Sequence, residues 1–245
     1  MKITKIDDYQ SWYIESAHAA IIIDPWLDKV MQPKSNLFIN RSRNENAIVT
    51  KEMISKVSCI IISAPFEDHF HEKSLMRFDR NILVLTSKPS EKKLRKLGFN
   101  NIEVLKTGIQ KNIGDLTIKA HDAGFPYNYL WTFSFEITQG EKVLYFESHV
   151  DKPSRIKHNN LKADCAILTT EEVKILGLLP LSNSSETTLE ILKELECKNI
   201  MIQGSDPAET KGFISYFLKI GKENLRIFKS NNINVYKDPG SEVVI

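Results

Sequence analysis

The residues best suited to chemistry stand directly after apolar segments that are typical of buried strands. Asp68, His69 and His71 follow the apolar run at residues 59–62, within the stretch SAPFEDHFH. In open α/β sheets, binding and catalytic sites form in the loops beyond the carboxyl ends of the strands. A carboxylate and two imidazoles in such a loop indicate a metal site, the remnant of one, or a plain polar loop.

Titratable residues recur after four other strand-like segments. They are Asp24 after AAIII, His121 and Asp122 after DLTIKA, Glu147, His149 and Asp151 after KVLYF, and Asp206 after NIMIQGS. Four of the six histidines belong to the combined set. Because histidine is a modest turn former but the most common metal ligand, this clustering favours one shared polar site over unrelated loops.

Ordinary explanations for single members stay open. Asp24 is also suited to capping the loop after its strand, and Asp206 to capping a helix that begins at the following proline. A solvent-facing position at the start of a helix also explains His71. A hydrogen-bonded position at the edge of a sheet also explains His121.

Alternating strands and helices are expected to position these residues. Residues 58–105 have a β-α-β-α-β pattern, which predicts helices packed on a sheet. Residues 115–146 alternate apolar and polar side chains and include a hairpin, which predicts antiparallel strands. Later residues predict helices at 186–195 and 207–220 and strands at 225–228 and 233–236. The polar stretch 34–46 predicts a long loop, either a flap or plain surface.

The expected fold class is α/β: a four-layer αββα sandwich of two mixed β-sheets flanked by helices. Both halves of the chain repeat strands followed by strand–helix units, and no low-complexity linker divides them. We therefore expect a single domain over residues 1–245. The hydrophobic fraction of 42% is enough for a sizeable core.

Composition narrows the functional classes. Lys plus Arg total 33 and Asp plus Glu total 31, so no overall charge attracts nucleic acid or membrane. The sequence has no apolar run of about 18 residues and no signal-peptide pattern at its start, so we expect a cytoplasmic protein. Three widely spaced cysteines without a CxxC motif argue against a disulfide framework or a zinc ribbon.

The order of motifs resembles the metallo-β-lactamase superfamily over nearly the whole chain. The matching segments are IIIDPWL, IIISAPFEDHFHEKSL, KVLYFESHVD and NIMIQGSDPAETKG. The second segment stands where the superfamily has its His-x-His-x-Asp-His signature. Asp68 and His69 match the last pair of that signature, whereas Ala64 and Phe66 replace its first two histidines.

The departures make the sequence similar to a divergent branch of the superfamily. That branch has an Asp-His-x-His loop and a Glu-x-His hairpin end, here DHFH and ESHVD, and its bacterial and plant members are described as metal-dependent hydrolases. The superfamily's bridging aspartate would fall near His149, with Glu147 two residues earlier. Its late histidine would fall near Gly204 or Ser205, beside Asp206, and His121 lies roughly where another histidine is expected.

The resemblance implies a reduced metal site. With Ala64 and Phe66 in place of histidines, the ordinary binuclear site is absent, and at most one ion would be held by Asp68, His69 and His149. One carboxylate and two imidazoles suit zinc, manganese or iron, with zinc or manganese expected here.

The expected activity is that of a metal-dependent hydrolase. The ion would activate water for attack on an ester, amide, lactone or phosphodiester of a small-molecule substrate, with Asp68, Glu147 and Asp206 as the catalytic carboxylates. The alternative is a protein without metal or catalysis that binds a ligand, or serves as a scaffold, on an inherited fold. We expect neither a nucleic-acid partner nor a membrane partner.

Overall fold

The computed structural model describes residues 1–31, 40–43, 45–123, 127, 132–147, 149–204 and 209–245. Within these residues the chain forms six α-helices and twenty strands. The helices are α1 Lys51–Lys56, α2 Glu72–Leu75, α3 Lys88–Lys96, α4 Pro153–His158, α5 Ser185–Glu194 and α6 Arg226–Ser230. The strands are β1 Lys2–Lys5, β2 Trp12–Glu15, β3 Ala20–Ile23, β4 Val30–Met31, β5 Asn40–Ser42, β6 Cys59–Ile62, β7 Leu83–Thr86, β8 Ile102–Val104, β9 Gln110–Ile113, β10 Leu116–Asp122, β11 Phe133–Gln139, β12 Lys142–Phe146, β13 Cys165–Thr169, β14 Val173–Ile175, β15 Leu179–Ser182, β16 Asn199–Gln203, β17 Glu209–Lys211, β18 Leu218–Ile220, β19 Asn234–Tyr236 and β20 Glu242–Val244.

Two seven-stranded mixed sheets carry the fold. The strand order of the first sheet is β20-β1-β2-β3-β6-β7-β8, and that of the second is β19-β16-β13-β12-β11-β10-β9. Each sheet joins an antiparallel part to a parallel part, as the strand–helix pattern requires. Two small three-stranded sheets, β15-β14-β18 and β17-β5-β4, stand beside them.

The apolar core fills the space between the two large sheets. Trp12, Ile23 and Ile61 from the first sheet pack in one cluster with Phe135 and Phe146 from the second. This packing follows from the alternation of the strands, which turns every second side chain inward.

Helices cover the outer face of each sheet. Leu75 of α2 and Leu94 of α3 are fully buried against the first sheet, and Ile191 of α5 and Phe228 of α6 against the second. Burial of each such side chain contributes about 1.5–3 kcal/mol. The layers are therefore helix, sheet, sheet, helix, which confirms the predicted αββα sandwich.

Three predictions are wrong. The stretch 34–46, predicted as a long loop, contains strand β5 at Asn40–Ser42. Residues 209–220 form β17, a 3₁₀ helix at Phe213–Phe217, and β18, not one long helix. Gly212 interrupts this segment with a φ of 108°, and its strands pair with β5 and β14 instead. The segment predicted as a strand at 225–228 instead begins helix α6.

In the described chain, no helix has both the length and the apolar character needed to cross a lipid bilayer.

Candidate functional site

The site begins with a buried hydrogen-bonded group at the end of β3 and β6. Asp24 Oδ2 lies 2.5 Å from Ser63 Oγ and 2.7 Å from His69 Nδ1, and Asp24 Oδ1 accepts the Ser63 backbone N–H at 2.8 Å. Asp24 adopts a φ of 46°, a left-handed conformation that aspartate tolerates better than most residues. Because the carboxylate accepts the proton on Nδ1, the unprotonated nitrogen of a neutral His69 ring is Nε2.

The loop after β6 holds His69 in this position. The backbone N–H groups of His69 and Phe70 both donate to the Phe66 carbonyl, which closes a turn. The Lys93 ammonium group of α3 donates to the Pro65 carbonyl at 3.0 Å. The loop is therefore fixed on both sides, by the buried Asp24 carboxylate and by helix α3.

His149 comes from the second sheet, just past the end of β12. Its Nδ1 atom donates to the Leu181 carbonyl of β15 at 3.3 Å. Nε2 of His149 is consequently the unprotonated nitrogen of its ring, as in His69. An imidazole that donates one N–H to a fixed acceptor has its other nitrogen oriented for binding.

The two imidazoles meet at the edge of the sandwich. Their ring centroids lie 4.8 Å apart, and both Nε2 atoms are buried and lack a hydrogen-bond partner in the described part of the chain. Asp68 Oδ1 lies 4.0 Å from His69 Nε2, and Asp68 Oδ2 accepts the Tyr9 hydroxyl at 3.2 Å. The described residues contain no group of three His, Cys, Asp or Glu side chains already close enough to hold a metal ion.

The charges in this cluster act strongly on each other. Burial alone would raise the pKa of Asp68, but the positive charges of His69 and Arg41 outweigh it and the pKa is lowered. Burial would lower the pKa of His69, but the carboxylates of Asp24 and Asp68 outweigh it and the pKa is raised. Burial and the charge of His69 lower the pKa of His149 to about 4, so His149 is neutral near pH 7.

An apolar ring closes one side of the cluster. The Phe66 ring centroid lies 5.4 Å from that of His149 and 6.4 Å from that of His69. Phe66 is 38% exposed, so the ring stands at the rim, whereas Ala64 is fully buried. Neither side chain offers a ligand atom where the superfamily signature has histidines.

Glu147 lies in a different set of hydrogen bonds. Its carboxylate accepts the Thr169 hydroxyl at 2.6 Å and the Asn183 amide at 3.0 Å. Burial, opposed by these hydrogen bonds, raises the pKa of Glu147 to about 8. The carboxylate thus ties β12 to β13 and to the residue after β15, the segment that carries Leu181.

The other sequence candidates are spread apart. Asp206 lies outside the described residues, as does most of the stretch 34–46. His71 is buried at the start of α2, where Nδ1 lies 2.7 Å from Ser74 Oγ, so it does not face solvent. His121 Nε2 lies 2.7 Å from the Glu136 carboxylate on the neighbouring strand β11.

Sequence reasoning missed three side chains that surround the cluster. Ser63 bonds to Asp24 directly after β6, and its position one residue past the strand was an available signal. Tyr9 lies in a turn, and Arg41 lies in β5 of the small sheet β17-β5-β4. The Arg41 guanidinium carbon lies 4.5 Å from the Tyr9 ring centroid. No spacing pattern links these two residues to the histidines.

Solved structures with the same fold include three with clear likeness over the whole chain. An isothiocyanate hydrolase from Delia radicum gut bacteria has a TM-score of 0.74 at 20% identity, covering 100% of this chain and 99% of that chain. A possible metal-dependent hydrolase from Veillonella parvula has a TM-score of 0.72 at 13% identity, with the same coverage. CmlA, a diiron β-hydroxylase from Streptomyces venezuelae, has a TM-score of 0.72 at 14% identity and covers 100% of this chain but 54% of that chain. At these identities the likeness shows the fold.

A comparison with curated proteins found no match. The family model described as the Beta-lactamase superfamily domain matches residues 2–202, most of the 245-residue chain. This match and the two facing sheets confirm the resemblance first found in the strand-end motifs. The chain belongs to the Beta-lactamase superfamily domain family.

Proposed function

We propose that the protein is a metal-dependent hydrolase of small molecules, with one divalent ion held by His69, His149 and Asp68. The single observation that carries the proposal is a pair of buried Nε2 atoms on adjacent imidazoles, for which the described residues supply no hydrogen-bond partner. A buried nitrogen without a partner costs free energy, so such atoms indicate a ligand that completes them. The hydrolase names of two similar folds agree with this activity.

The chemistry of these donors fits zinc or manganese. His149 presents an oriented Nε2 lone pair, His69 presents one when its ring is neutral, and a carboxylate stands beside them. Two ligands of one zinc ion can lie up to about 4.2 Å apart, because each metal–ligand bond is about 2.1 Å. The 4.0 Å between Asp68 Oδ1 and His69 Nε2 falls within that reach. Phe66 and Ala64 offer no ligand atoms for a second ion at their own positions, so the proposal is for a single ion.

An ion bound there would lower the pKa of water and polarise an ester, amide, lactone or phosphodiester group. The chain's own residues supply the positioning. Asp24 and Ser63 fix the His69 ring, the Leu181 carbonyl fixes the His149 ring, and the Tyr9 hydroxyl holds one oxygen of Asp68. The exposed Phe66 ring gives an apolar wall on which the uncharged part of a substrate can rest.

Three carboxylates are candidates for the general base that accepts a proton from water. We propose Asp68 for this role, because it adjoins both imidazoles. Glu147 and Asp206 remain proposed catalytic residues from the sequence. Glu147 bonds to Thr169 and Asn183, so a part in proton transfer would require a change in those bonds.

Elemental analysis tests the proposal most directly. The wild type, purified without added metal and then loaded with zinc or manganese, should hold about one equivalent. His69→Ala/His149→Ala should hold none, whereas His158→Ala, which alters a histidine exposed at the end of α4, should match the wild type. Ester and phosphodiester panels then test hydrolysis. A wild type that binds no metal and hydrolyses nothing would favour the ligand-binding or scaffold alternative.

A further inference from the structure

One positively charged side chain, that of Arg41, stands at the edge of the histidine cluster. Arg41 of β5 places its guanidinium carbon 4.5 Å from the centroid of the Tyr9 ring, a distance at which cation–π attraction holds the group in place. The Tyr9 hydroxyl in turn donates to Asp68. Arg41 is therefore one side chain away from the carboxylate of the site.

Neighbouring arginines differ in what surrounds their charge. Arg43, two residues further along, is buried and forms ion pairs with Asp7 at 2.7 Å and with Asp8 at 3.3 Å. The positive charge of Arg41 instead acts on Asp68, His69 and His149. Its Nε atom is buried without a hydrogen-bond partner among the described residues, while the residue as a whole stays partly exposed.

The balance of charge in the site favours an anion. Two carboxylates, those of Asp24 and Asp68, lie beside the His69 ring. Among the residues that the structure describes here, these two negative charges match the charge of one divalent ion, and Arg41 adds a further positive charge. A planar guanidinium group binds a carboxylate or phosphate through two parallel hydrogen bonds, which fixes orientation as well as affinity.

We infer that Arg41 is an anion-binding residue that selects substrates carrying a carboxylate or phosphate group away from the bond that is cleaved. The anionic group would lie against the guanidinium on the Tyr9 ring, and the rest of the substrate would extend toward His69 and His149. This inference rests on the proposed function, because it takes an ion at the two imidazoles as given. It narrows that function from small molecules in general to small anions.

Measuring anion binding to the metal-free protein tests the inference independently of the metal ion. Metal-free wild type, Arg41→Gln and Arg41→Lys are titrated with glutarate and with inorganic phosphate by calorimetry. We expect the dissociation constant to rise at least tenfold in Arg41→Gln and less in Arg41→Lys, which keeps the charge. Arg95→Gln, an exposed arginine that pairs with Glu91 on α3, is the matched control and should bind like the wild type. The two anions separate a carboxylate preference from a phosphate preference.

Kinetics of the metal-loaded protein give the second readout. The ratio of kcat/KM for mono-p-nitrophenyl glutarate over p-nitrophenyl butyrate should fall about 10- to 100-fold in Arg41→Gln, because only the first ester carries a carboxylate. Thermal unfolding verifies that each variant is folded. An unchanged ratio with unchanged anion binding would overturn the inference and leave the hydrolase intact. Failure of the wild type to cleave either ester would count against the hydrolase, and the calorimetry then decides on Arg41 alone.

Discussion

His69 and His149 lie with their ring centroids 4.8 Å apart, and each ring is oriented by a hydrogen bond from its Nδ1 atom. The acceptors differ: His69 donates to a buried carboxylate, and His149 donates to a backbone carbonyl. A carboxylate makes the ring it orients a stronger ligand, since it supports positive charge on the imidazole. His69 is therefore expected to contribute more than His149 to the affinity for an ion.

Asp24→Asn should weaken metal binding while keeping the backbone. Asparagine tolerates the left-handed conformation at this position, so the change removes mainly the charge that orients His69. We expect metal affinity to fall about 10- to 100-fold. The unfolding free energy of the metal-free protein should fall by about 1–3 kcal/mol, since buried hydrogen bonds are lost. Competition with a chromophoric chelator and urea denaturation measure the two effects.

Asp79→Asn is the matched control for Asp24→Asn. Asp79 is exposed and bonds only locally, to the Asn81 backbone N–H at 2.7 Å. It should leave both measurements within error of the wild type. Equal metal affinity in the two variants would show that Asp24 does not orient a ligand.

Tyr9→Phe should loosen Asp68 without creating a cavity. The hydroxyl donates to Asp68 Oδ2 at 3.2 Å, and phenylalanine keeps the ring against which Arg41 packs. The expected loss is about 1 kcal/mol of unfolding free energy, together with a several-fold weaker metal affinity. Tyr216→Phe, which alters an 84% exposed tyrosine, should change neither. A metal affinity equal to that of the wild type would exclude a positioning role for Tyr9.

Lys5 should make stability depend on pH above neutrality. Its side chain is fully buried beside Trp12 and donates to the Ile202 carbonyl of the second sheet. Burial, opposed by the charges of Asp7 and Asp8, lowers its pKa from 10.5 to about 8. Between pH 8 and pH 10.5 the unfolded chain binds a proton that the folded chain does not, so the unfolding free energy rises with pH.

Comparison with Lys5→Met isolates this effect from the buried cysteines and tyrosines, which titrate in both proteins. Between pH 8 and pH 10.5, the unfolding free energy of the wild type should rise by up to about 3 kcal/mol relative to that of Lys5→Met. Urea denaturation at half-unit steps of pH measures the difference. A difference that stays constant with pH would show that Lys5 keeps its proton in the folded protein.

Arg155→Met should be among the more destabilising single changes near the site. Arg155 Nε lies 2.6 Å from Asp151 Oδ1, and the Asp151 side chain is fully buried. Removing the guanidinium leaves a buried carboxylate without its counter-charge, which costs about 3–5 kcal/mol. Lys142→Met, which breaks an exposed pair with Asp164, should cost no more than about 1 kcal/mol. Similar losses in the two variants would contradict the burial argument.

Much of the fold could be predicted from the sequence because its signals are local. The apolar run at Cys59–Ile62 and the alternation of Phe133–Gln139 identify buried and two-faced strands. The helix predicted at 207–220 was wrong around Phe213–Phe217. The apolar spacing there is typical of a helix, but Gly212 and pairing with other strands determine the structure. Tertiary pairing of that kind leaves little trace in a local pattern.

The candidate site was only partly predictable, for a related reason. His69, His149 and Asp68 were identified as strand-end residues and by resemblance, and the structure brings these three together. Tyr9 and Arg41 were missed, because their contacts join a turn and a small sheet that no motif connects. Glu147 was assigned from its place after the KVLYF segment and from the resemblance, and neither reveals that its carboxylate bonds to Thr169 and Asn183.

The two imidazoles come from opposite sheets, since His69 follows β6 and His149 follows β12. An ion held by both would cross-link the two halves of the sandwich at one edge. A ligand that binds only the folded chain adds about 2.7 kcal/mol of stability when present at 100 times its dissociation constant. The supply of metal in the cell would then govern how long the folded chain survives proteolysis, as well as whether it can act on a substrate.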